Sequence, residues 1–350
     1  MSTIHDVAKR AGVSAMTVSR VINRSNYISP KTRERVEAAV AELGYVPNTL
    51  ARSLRMKGTQ TLALVLSDIT NPFFTTLGRG VQDAARAQGF NVIFCNTDES
   101  ETEQAEQLIT LVQKRVDGVL LVPAASSAEP VAYLKKHKIP VVVLDRRVQG
   151  CSVDSVRCDS ELGAYQLTKL LLDLGHRRIA VLSGPEAVST ASDRVAGYRR
   201  ALAEAGCSPA AELVFHGTYT LAGGRQMARA ALAQSPRPTA FFAANNFIAI
   251  GAYQALKETG LRVPEDVAIA AFDDLPLTMM VEPFFTVVAQ PAYEMGQHAI
   301  QLLLARLGGE EPAECREVIL PFELIVRQSG GRALAASENR EPAHLATAGQ

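Results

Sequence analysis

Residues 3–22 read Thr-Ile-His-Asp-Val-Ala-Lys-Arg-Ala-Gly-Val-Ser-Ala-Met-Thr-Val-Ser-Arg-Val-Ile. Thr3 and Asp6 stand three apart, the spacing of a helix N-cap and its reciprocal partner. Ile4, Val7, Ala8 and Ala11 then recur at helical intervals. Gly12 suits the left-handed turn that ends such a helix. Ser14 caps a second helix, whose apolar positions include Val18 and Val21 with Ile22 beside them. Two short helices joined by a glycine-containing turn predict a helix-turn-helix. Ser29–Pro30 opens a third helix in the favoured order of cap and N1 proline. Val36, Ala39, Val40 and Leu43 form its inner stripe, and Gly44 closes it. So few apolar residues make a marginal domain, one that DNA or the attached body helps to hold.

In a helix-turn-helix the second helix enters the major groove with its first turn. Ala15, Met16 and Arg20 are its outward candidates. Arg20 matches a guanine edge, Ala15 a thymine methyl, and Met16 an apolar or shape contact. Thr3, Ser14, Thr17, Ser19, Asn23, Ser29, Lys31, Thr32 and Arg33 suit phosphate or register contacts. Charge agrees. Residues 1–60 hold ten Lys and Arg against four Asp and Glu, and the other 290 hold 26 against 32. A basic head on a mildly acidic body suits a polyanion bound by the head alone.

Pro47 ends the third helix and Asn48 can cap another. From Thr49 to Lys57 the chain is too short to persist as a helix in water. The expectation is a hinge that orders against DNA and a partner copy. Ala51 and Ser53 permit close approach, Leu54 wedges between base steps in the minor groove, and Arg52 and Arg55 meet phosphates.

These segments resemble the lactose/galactose repressor family. The likeness lies in residues 3–14, in Thr17-Val-Ser-Arg-Val-Ile-Asn23, in Ser29-Pro-Lys-Thr-Arg-Glu-Arg-Val36, in Leu43-Gly-Tyr-Val-Pro-Asn48 and in Ala51-Arg-Ser-Leu54. It extends over about residues 2–330. It implies a homodimer on a near-palindromic operator, usually a repressor, with Leu54 as the intercalating leucine. By the same likeness Ala15 and Met16, with Arg20 beside them, are the base-reading positions.

Beyond residue 60, strand-like runs alternate with segments of about three helical turns. The first series is Leu62–Leu66, Asn91–Cys95, Gly118–Val122 and Val141–Leu144, with helices such as Leu77–Gln88 and Glu103–Lys114 between them. A second series, from near Cys158, contains Arg178–Leu182, Leu213–Phe215, Thr239–Ala243 and Val267–Ala271. This alternation predicts parallel sheets covered by helices in two similar lobes, with a cleft between them. Crossovers fall near 158–162, 286–291 and 318–323. The organisation expected is an all-α helix-turn-helix head over 1–46, a hinge over 47–60, and a two-lobed α/β effector domain over 61–330. The N-lobe takes about 61–160 plus 290–320, the C-lobe about 161–289 plus 321–330. A disordered tail, 331–350, lacks leucine heptads and so suggests no tetramerising bundle. Helix Ala249–Glu258 and the apolar Leu275–Met280 segment are candidates for the dimer contact, with an ordinary core role equally open.

Ligands of open parallel sheets collect beyond the carboxyl ends of strands. Asn71, Phe73, Phe74, Asp145, Arg146, Tyr219, Asn245, Asp273 and Gln290 fall in such places, and Arg194 lies near a helix start. Carboxylates, guanidiniums and amides suit sugar hydroxyls, and aromatic rings suit the apolar sugar face. The body resembles the ribose-binding branch of the periplasmic sugar-binding fold (type I). That likeness implies these ten residues line the cleft, with Phe74 and Tyr219 against the sugar and Asp145, Arg146, Arg194 and Asp273 on hydroxyls. Two positions depart from it: Leu120-Leu-Val-Pro123 lacks an asparagine near 122, and Asn246 replaces an aspartate.

No catalytic machinery, nucleotide-type phosphate loop or metal-ligand spacing is evident, and no cofactor is expected. Cys95, Cys151, Cys158, Cys207 and Cys315 are scattered and odd in number, which predicts reduced thiols. The absence of a signal sequence or an 18-residue apolar run predicts a cytoplasmic, nucleoid-associated protein. The alternatives are a purine- or nucleoside-responsive regulator, a transport binding protein and a sugar-processing enzyme.

Overall fold

The computed structural model describes residues 2–22, 27–46, 58–207, 213–276, 282–309 and 314–331. The chain divides into two compact units, Met1–Thr59 and Gln60–Gln350.

Among its described residues the first unit holds three helices: α1 (Ile4–Ala11), α2 (Ala15–Ile22) and α3 (Pro30–Glu42). The capping box forms as the sequence predicts. The Thr3 amide donates to Asp6 Oδ2 at 2.8 Å, and the Asp6 amide donates to Thr3 Oγ1 at 3.3 Å. Gly12 takes φ 63°, which frees α2 to turn away from α1. Val7, Ala8, Ala11, Val18, Val21, Val36 and Ala39 form the small core. Arg35 adds what that core lacks. Its guanidinium donates to the carbonyls of Ala11 (3.2 Å) and Gly12 (3.1 Å), fastening α3 to the end of α1.

Among its described residues the second unit holds two six-stranded sheets. The first contains β1 (Thr61–Leu66), β2 (Asn91–Asn96), β3 (Gly118–Leu121), β4 (Val141–Leu144), β5 (Asp154–Cys158) and β11 (Glu317–Leu320). Its order is β11-β5-β4-β3-β1-β2, parallel throughout. The second contains β6 (Ile179–Ser183), β7 (Val214–His216), β8 (Ala240–Ala243), β9 (Ala268–Phe272), β10 (Thr286–Ala289) and β12 (Glu323–Ile325). Its order is β12-β10-β9-β8-β6-β7, with β12 alone antiparallel. Both faces of each sheet are covered. In β1, Leu62, Leu64 and Leu66 enter one core while Ala63 and Val65 enter the other. That period-two split explains the unbroken apolar runs.

The chain crosses between the sheets after β5, after β10 and after β11, close to where the sequence places the crossovers. The second crossover delivers α11 (Ala292–Leu307) back onto the first sheet, against α4 (Pro72–Ala87). The two helices meet through glycines. A Cβ on Gly80 would stand 2.0 Å from the Tyr293 carbonyl oxygen, and one on Gly296 would stand 2.3 Å from that of Leu77. Alanine would gain about 1 kcal/mol of helix propensity. A clash with a backbone oxygen at that distance outweighs it, at about 1–3 kcal/mol. Gly296→Ala is therefore expected to lower the melting temperature, measured by circular dichroism. An unchanged or raised melt would contradict this packing.

Candidate functional site

The head presents its DNA-facing candidates unevenly. Met16 is 59% exposed and Arg20 is exposed, both on α2. Ala15 is half-buried and packs against the head core. Ser14 and Ser29 act as caps: their hydroxyls accept from the amides of Thr17 (3.1 Å) and Thr32 (3.3 Å). Thr3, Thr17 and Thr32 are tied into those same caps. Lys31 is exposed, and Ser19 and Arg33 are partly so. Asn23, Asn48, Ala51, Arg52 and Leu54 lie outside the described residues, as do tail residues 332–350 and positions 277–280 of the proposed dimer segment.

In the body, strand ends and helix starts converge on one cavity of about 100 Å³ between the sheets. Its lining includes nine of the ten predicted residues: Asn71, Phe73, Phe74, Asp145, Arg146, Arg194, Tyr219, Asn245 and Asp273. The sequence places Phe73 and Phe74 in a loop ahead of a helix at Leu77. The helix instead begins at Pro72, because Asn71 caps it (Phe73 amide to Asn71 Oδ1, 3.0 Å) and proline suits N1. The two rings therefore sit in its first turn, edge to face at 5.1 Å.

Asp145 follows β4 and Asp273 follows β9, both left-handed at φ 63° and 66°. Each amide bonds to the next strand, Asp145 to the Val156 carbonyl and Asp273 to that of Val288, both at 2.9 Å. The two lobes thus repeat one device that turns a carboxylate into the cleft. Both are more than nine-tenths buried. Burial pushes the Asp145 carboxyl above its ordinary range, against the pull of Arg194 and Arg146. It pushes Asp273 up to about 6, against Arg194 and the Gln290 amide.

Arg194 lies in α8 (Ser189–Glu204), stacks 4.0 Å over the Phe272 ring and donates to the Ala244 carbonyl. Arg146 gives both terminal nitrogens to Glu99, at 2.6 and 2.5 Å, and one also to the Pro123 carbonyl at 2.8 Å. Burial opposes its charge, but the Glu99 carboxylate more than offsets that and holds the guanidinium protonated. Tyr219 meets Thr190 Oγ1 at 3.2 Å. Its ring fits because residue 184 is glycine: a Cβ there would stand 2.2 Å from the ring. Burial raises the Tyr219 phenol. Asn245 caps α10 (Asn246–Glu258) through the Ile248 amide, 2.8 Å. Gln290 is not in the main wall. It stands behind Asp273, donating to Oδ1 at 2.7 Å, and lines the neighbouring hollow with Pro72 and Phe73.

Four buried polar atoms here have no hydrogen-bond partner among the described residues: Asp145 Oδ1, Arg146 Nε, Arg194 Nε and Gln290 Oε1. Two accept and two donate. A hydroxyl group can serve either kind.

Sequence reasoning missed Asp68, Asp98, Glu99, Thr190 and Thr220, which complete the wall. Asp98 and Glu99 stand just past β2, so the rule that selected Asn71 past β1 applies to them equally. It also missed the interlobe ties. Asn71 and Asn246 exchange amide hydrogen bonds at 3.1 Å each way. Across the cleft, the Ser126 amide donates to the Ala187 carbonyl (2.9 Å) and the Arg147 amide to Ser189 Oγ (2.7 Å). The Arg147 guanidinium also pairs with Asp193. As for the dimer candidates, Ala249, Ala252, Ala255 and Leu256 of α10 enter the second lobe's core. No described helix is long and apolar enough to cross a membrane.

Residues 3–48 match the model of bacterial regulatory proteins of the lacI family, and residues 59–328 match that of periplasmic binding proteins and the sugar-binding domain of the LacI family. The chain is 36% identical to the ribose operon repressor of Haemophilus influenzae, over 94% of this chain and 98% of that one. It is equally 36% identical, with the same coverage, to the HTH-type transcriptional repressor PurR of Vibrio campbellii. Among solved structures, the lac repressor dimer bound to operator and the anti-inducer ONPF superposes with a TM-score of 0.82 at 29% identity. That match covers 94% of this chain and 99% of the repressor chain.

Proposed function

Because the chain belongs to the LacI family of bacterial regulatory proteins, we propose that it represses transcription from a near-palindromic operator as a homodimer, with a monosaccharide of ribose size in the cleft setting its grip. The observation that carries the effector is the set of three unpartnered atoms, Asp145 Oδ1, Arg146 Nε and Arg194 Nε, on the wall of a cavity flanked by Phe74 and Tyr219. Two free donors and a free acceptor fit sugar hydroxyls, and the aromatic faces fit sugar C–H bonds. Asp145, Arg146, Arg194 and Asp273 bind hydroxyls. Asn71, Phe73, Asn245 and Gln290 shape the cleft and orient those four.

The head supplies Thr3, Ser14, Thr17, Ser19, Asn23, Ser29, Lys31, Thr32 and Arg33 to phosphates, and Ala15, Met16 and Arg20 to base edges. Asn48, Ala51, Arg52 and Leu54 form the hinge contacts. The protein catalyses no reaction and works in the cytoplasm, on the nucleoid.

Sugar acts by preferring one of two lobe arrangements, and only that difference in affinity can reach the DNA. The interlobe ties at Asn71–Asn246 and Arg147–Ser189 belong to the closed arrangement. Operator titration with and without sugar tests this. The midpoint is expected to move at least about fivefold, the lower end of ordinary coupling energies. Unchanged affinity, with sugar shown by calorimetry to occupy the protein, rejects the proposal. The equal identity to PurR supports a purine or nucleoside effector as the second reading. Hypoxanthine and guanine belong in the same titration, and a shift with them alone selects that reading.

A further inference from the structure

We infer that Glu99 is a specificity-determining residue: by filling the fork of Arg146, it makes the cleft select uncharged polyols and reject sugar phosphates and sugar acids. The inference rests on the sugar reading above and names the class of sugar.

Anionic groups are recognised best by an arginine fork that gives two parallel N–H bonds. The cavity wall contains two arginines, and Arg146 does not offer one. Both terminal nitrogens of Arg146 are spent on the two Glu99 oxygens, and one of them also serves the Pro123 carbonyl. Arg194 lies over Phe272 and gives a terminal nitrogen to the Ala244 carbonyl. Arg146 has only its buried Nε–H left without a hydrogen bond, 3.8 Å from Asp145 Oδ2, while Arg194 keeps a buried Nε–H beside its second terminal nitrogen. One N–H suits a hydroxyl oxygen and makes a poor clamp for a phosphate. Asp145 Oδ1 needs a donor, which an ionised phosphate or carboxylate cannot supply.

Charge points the same way. Asp68, Asp98, Glu99, Asp145 and Asp273 line the cavity against the two guanidiniums. Three helix starts at the cavity, the other common anion cradle, are taken as well, while that of α8 has no side-chain cap. Asn71, Thr220 and Asn245 already accept from the first-turn amides of their own helices.

Glu99 is held in place at a backbone cost. Asp98 and Glu99 are consecutive non-glycine residues with φ of 48° and 60°. The Glu99 amide donates to the Ser67 carbonyl at 3.1 Å, and Asn96 Nδ2 donates to Asp98 Oδ1 at 2.6 Å. Strain sustained by such anchoring is characteristic of functional positions. The result is a carboxylate delivered into a guanidinium fork that would otherwise face the ligand.

The test is calorimetry on the full-length protein with ribose, arabinose and glucose, each beside its phosphate (ribose 5-phosphate, arabinose 5-phosphate, glucose 6-phosphate), and with ribonate. The wild type is expected to bind at least one neutral sugar and to bind that sugar's phosphate at least about 100-fold more weakly. Glu99→Gln and Glu99→Ala are expected to narrow that gap at least tenfold, through gained affinity for the anion. Comparable binding of a sugar and its phosphate by the wild type would mean that Glu99 yields to an anion, and overturns the inference. So would variants that keep the wild-type ratio, whatever their absolute affinity. Thermal melts establish that each variant is folded, and the isosteric Gln serves if the Ala variant is not. If the wild type binds none of the neutral sugars, the sugar reading itself fails, and the inference fails with it.

Discussion

Replacing Asp273 by asparagine is expected to raise the melting temperature of the sugar-free protein at pH 7.5 by on the order of 5 °C, and to weaken sugar binding at least about tenfold. The carboxyl is 94% buried, and burial lifts it from 3.8 to about 6. A carboxyl raised by folding contributes stability that is complete below pH 3.8 and lost as pH climbs through 6. At pH 7.5 the native state therefore carries a desolvated carboxylate at a cost of about 3 kcal/mol. Asparagine removes that cost without disturbing the site. It tolerates the left-handed backbone at φ 66° better than most residues, and its carbonyl still accepts from Gln290. The gain should vanish near pH 4, where aspartic acid is already neutral, and should open as pH rises toward 7.5. Melts across that range check it. A gap independent of pH, or a variant less stable than wild type at pH 7.5, would show that burial does not govern this carboxyl. The loss of sugar affinity follows from exchanging a charged acceptor for a neutral amide, worth about 1.5–3 kcal/mol per hydrogen bond. Stability and effector binding would then move in opposite directions, as expected where a buried charge is retained for its ligand.

The sequence made the scaffold legible because the scaffold uses local signals. Capping at Thr3 and Ser29, the turn at Gly12 and the apolar runs from Leu62 to Phe272 each depend on a few neighbouring residues. Strands β5, β11 and β12 were harder. Arg157 in β5 and Glu317 in β11 interrupt the apolar pattern, because those two strands are neighbours at the edge of the first sheet and the side chains pair across them, while β12 is the edge of the second sheet. Nine predicted cleft residues converge because the carboxyl-end rule is topological, and topology could be read from alternation. The partners of those residues were not legible. Glu99 meets Arg146 across 47 positions and Asn71 meets Asn246 across 175. Pairings that long leave no periodic trace in a single sequence. Nothing local in the sequence singles out Gly184, yet Tyr219 occupies the space a side chain there would need.

Arg194→Ala is expected to have the opposite sign for stability and the same sign for sugar. Its guanidinium is the largest favourable influence on Asp145, Asp273 and Tyr219. Without it two buried carboxylates lose the cation that offsets their desolvation, and the Phe272 ring loses its covering. Breaking a buried charge cluster on one side costs about 3–5 kcal/mol, so the melting temperature should fall on the order of 10 °C at pH 7.5. The deficit should shrink toward pH 5, because the stranded carboxyls titrate upward and become neutral there. Sugar-induced stabilisation should disappear at every pH. Operator affinity in the absence of sugar should survive below the melting range, since the head builds its own core from Val7, Val18 and Val36. The double variant Arg194→Ala with Asp273→Asn separates charge from packing. If the penalty is electrostatic, removing one stranded carboxylate restores part of the stability, and the two substitutions are strongly non-additive. If the two effects simply sum, the penalty belongs to the lost stack on Phe272, and the cleft's charge balance is not what sets its stability.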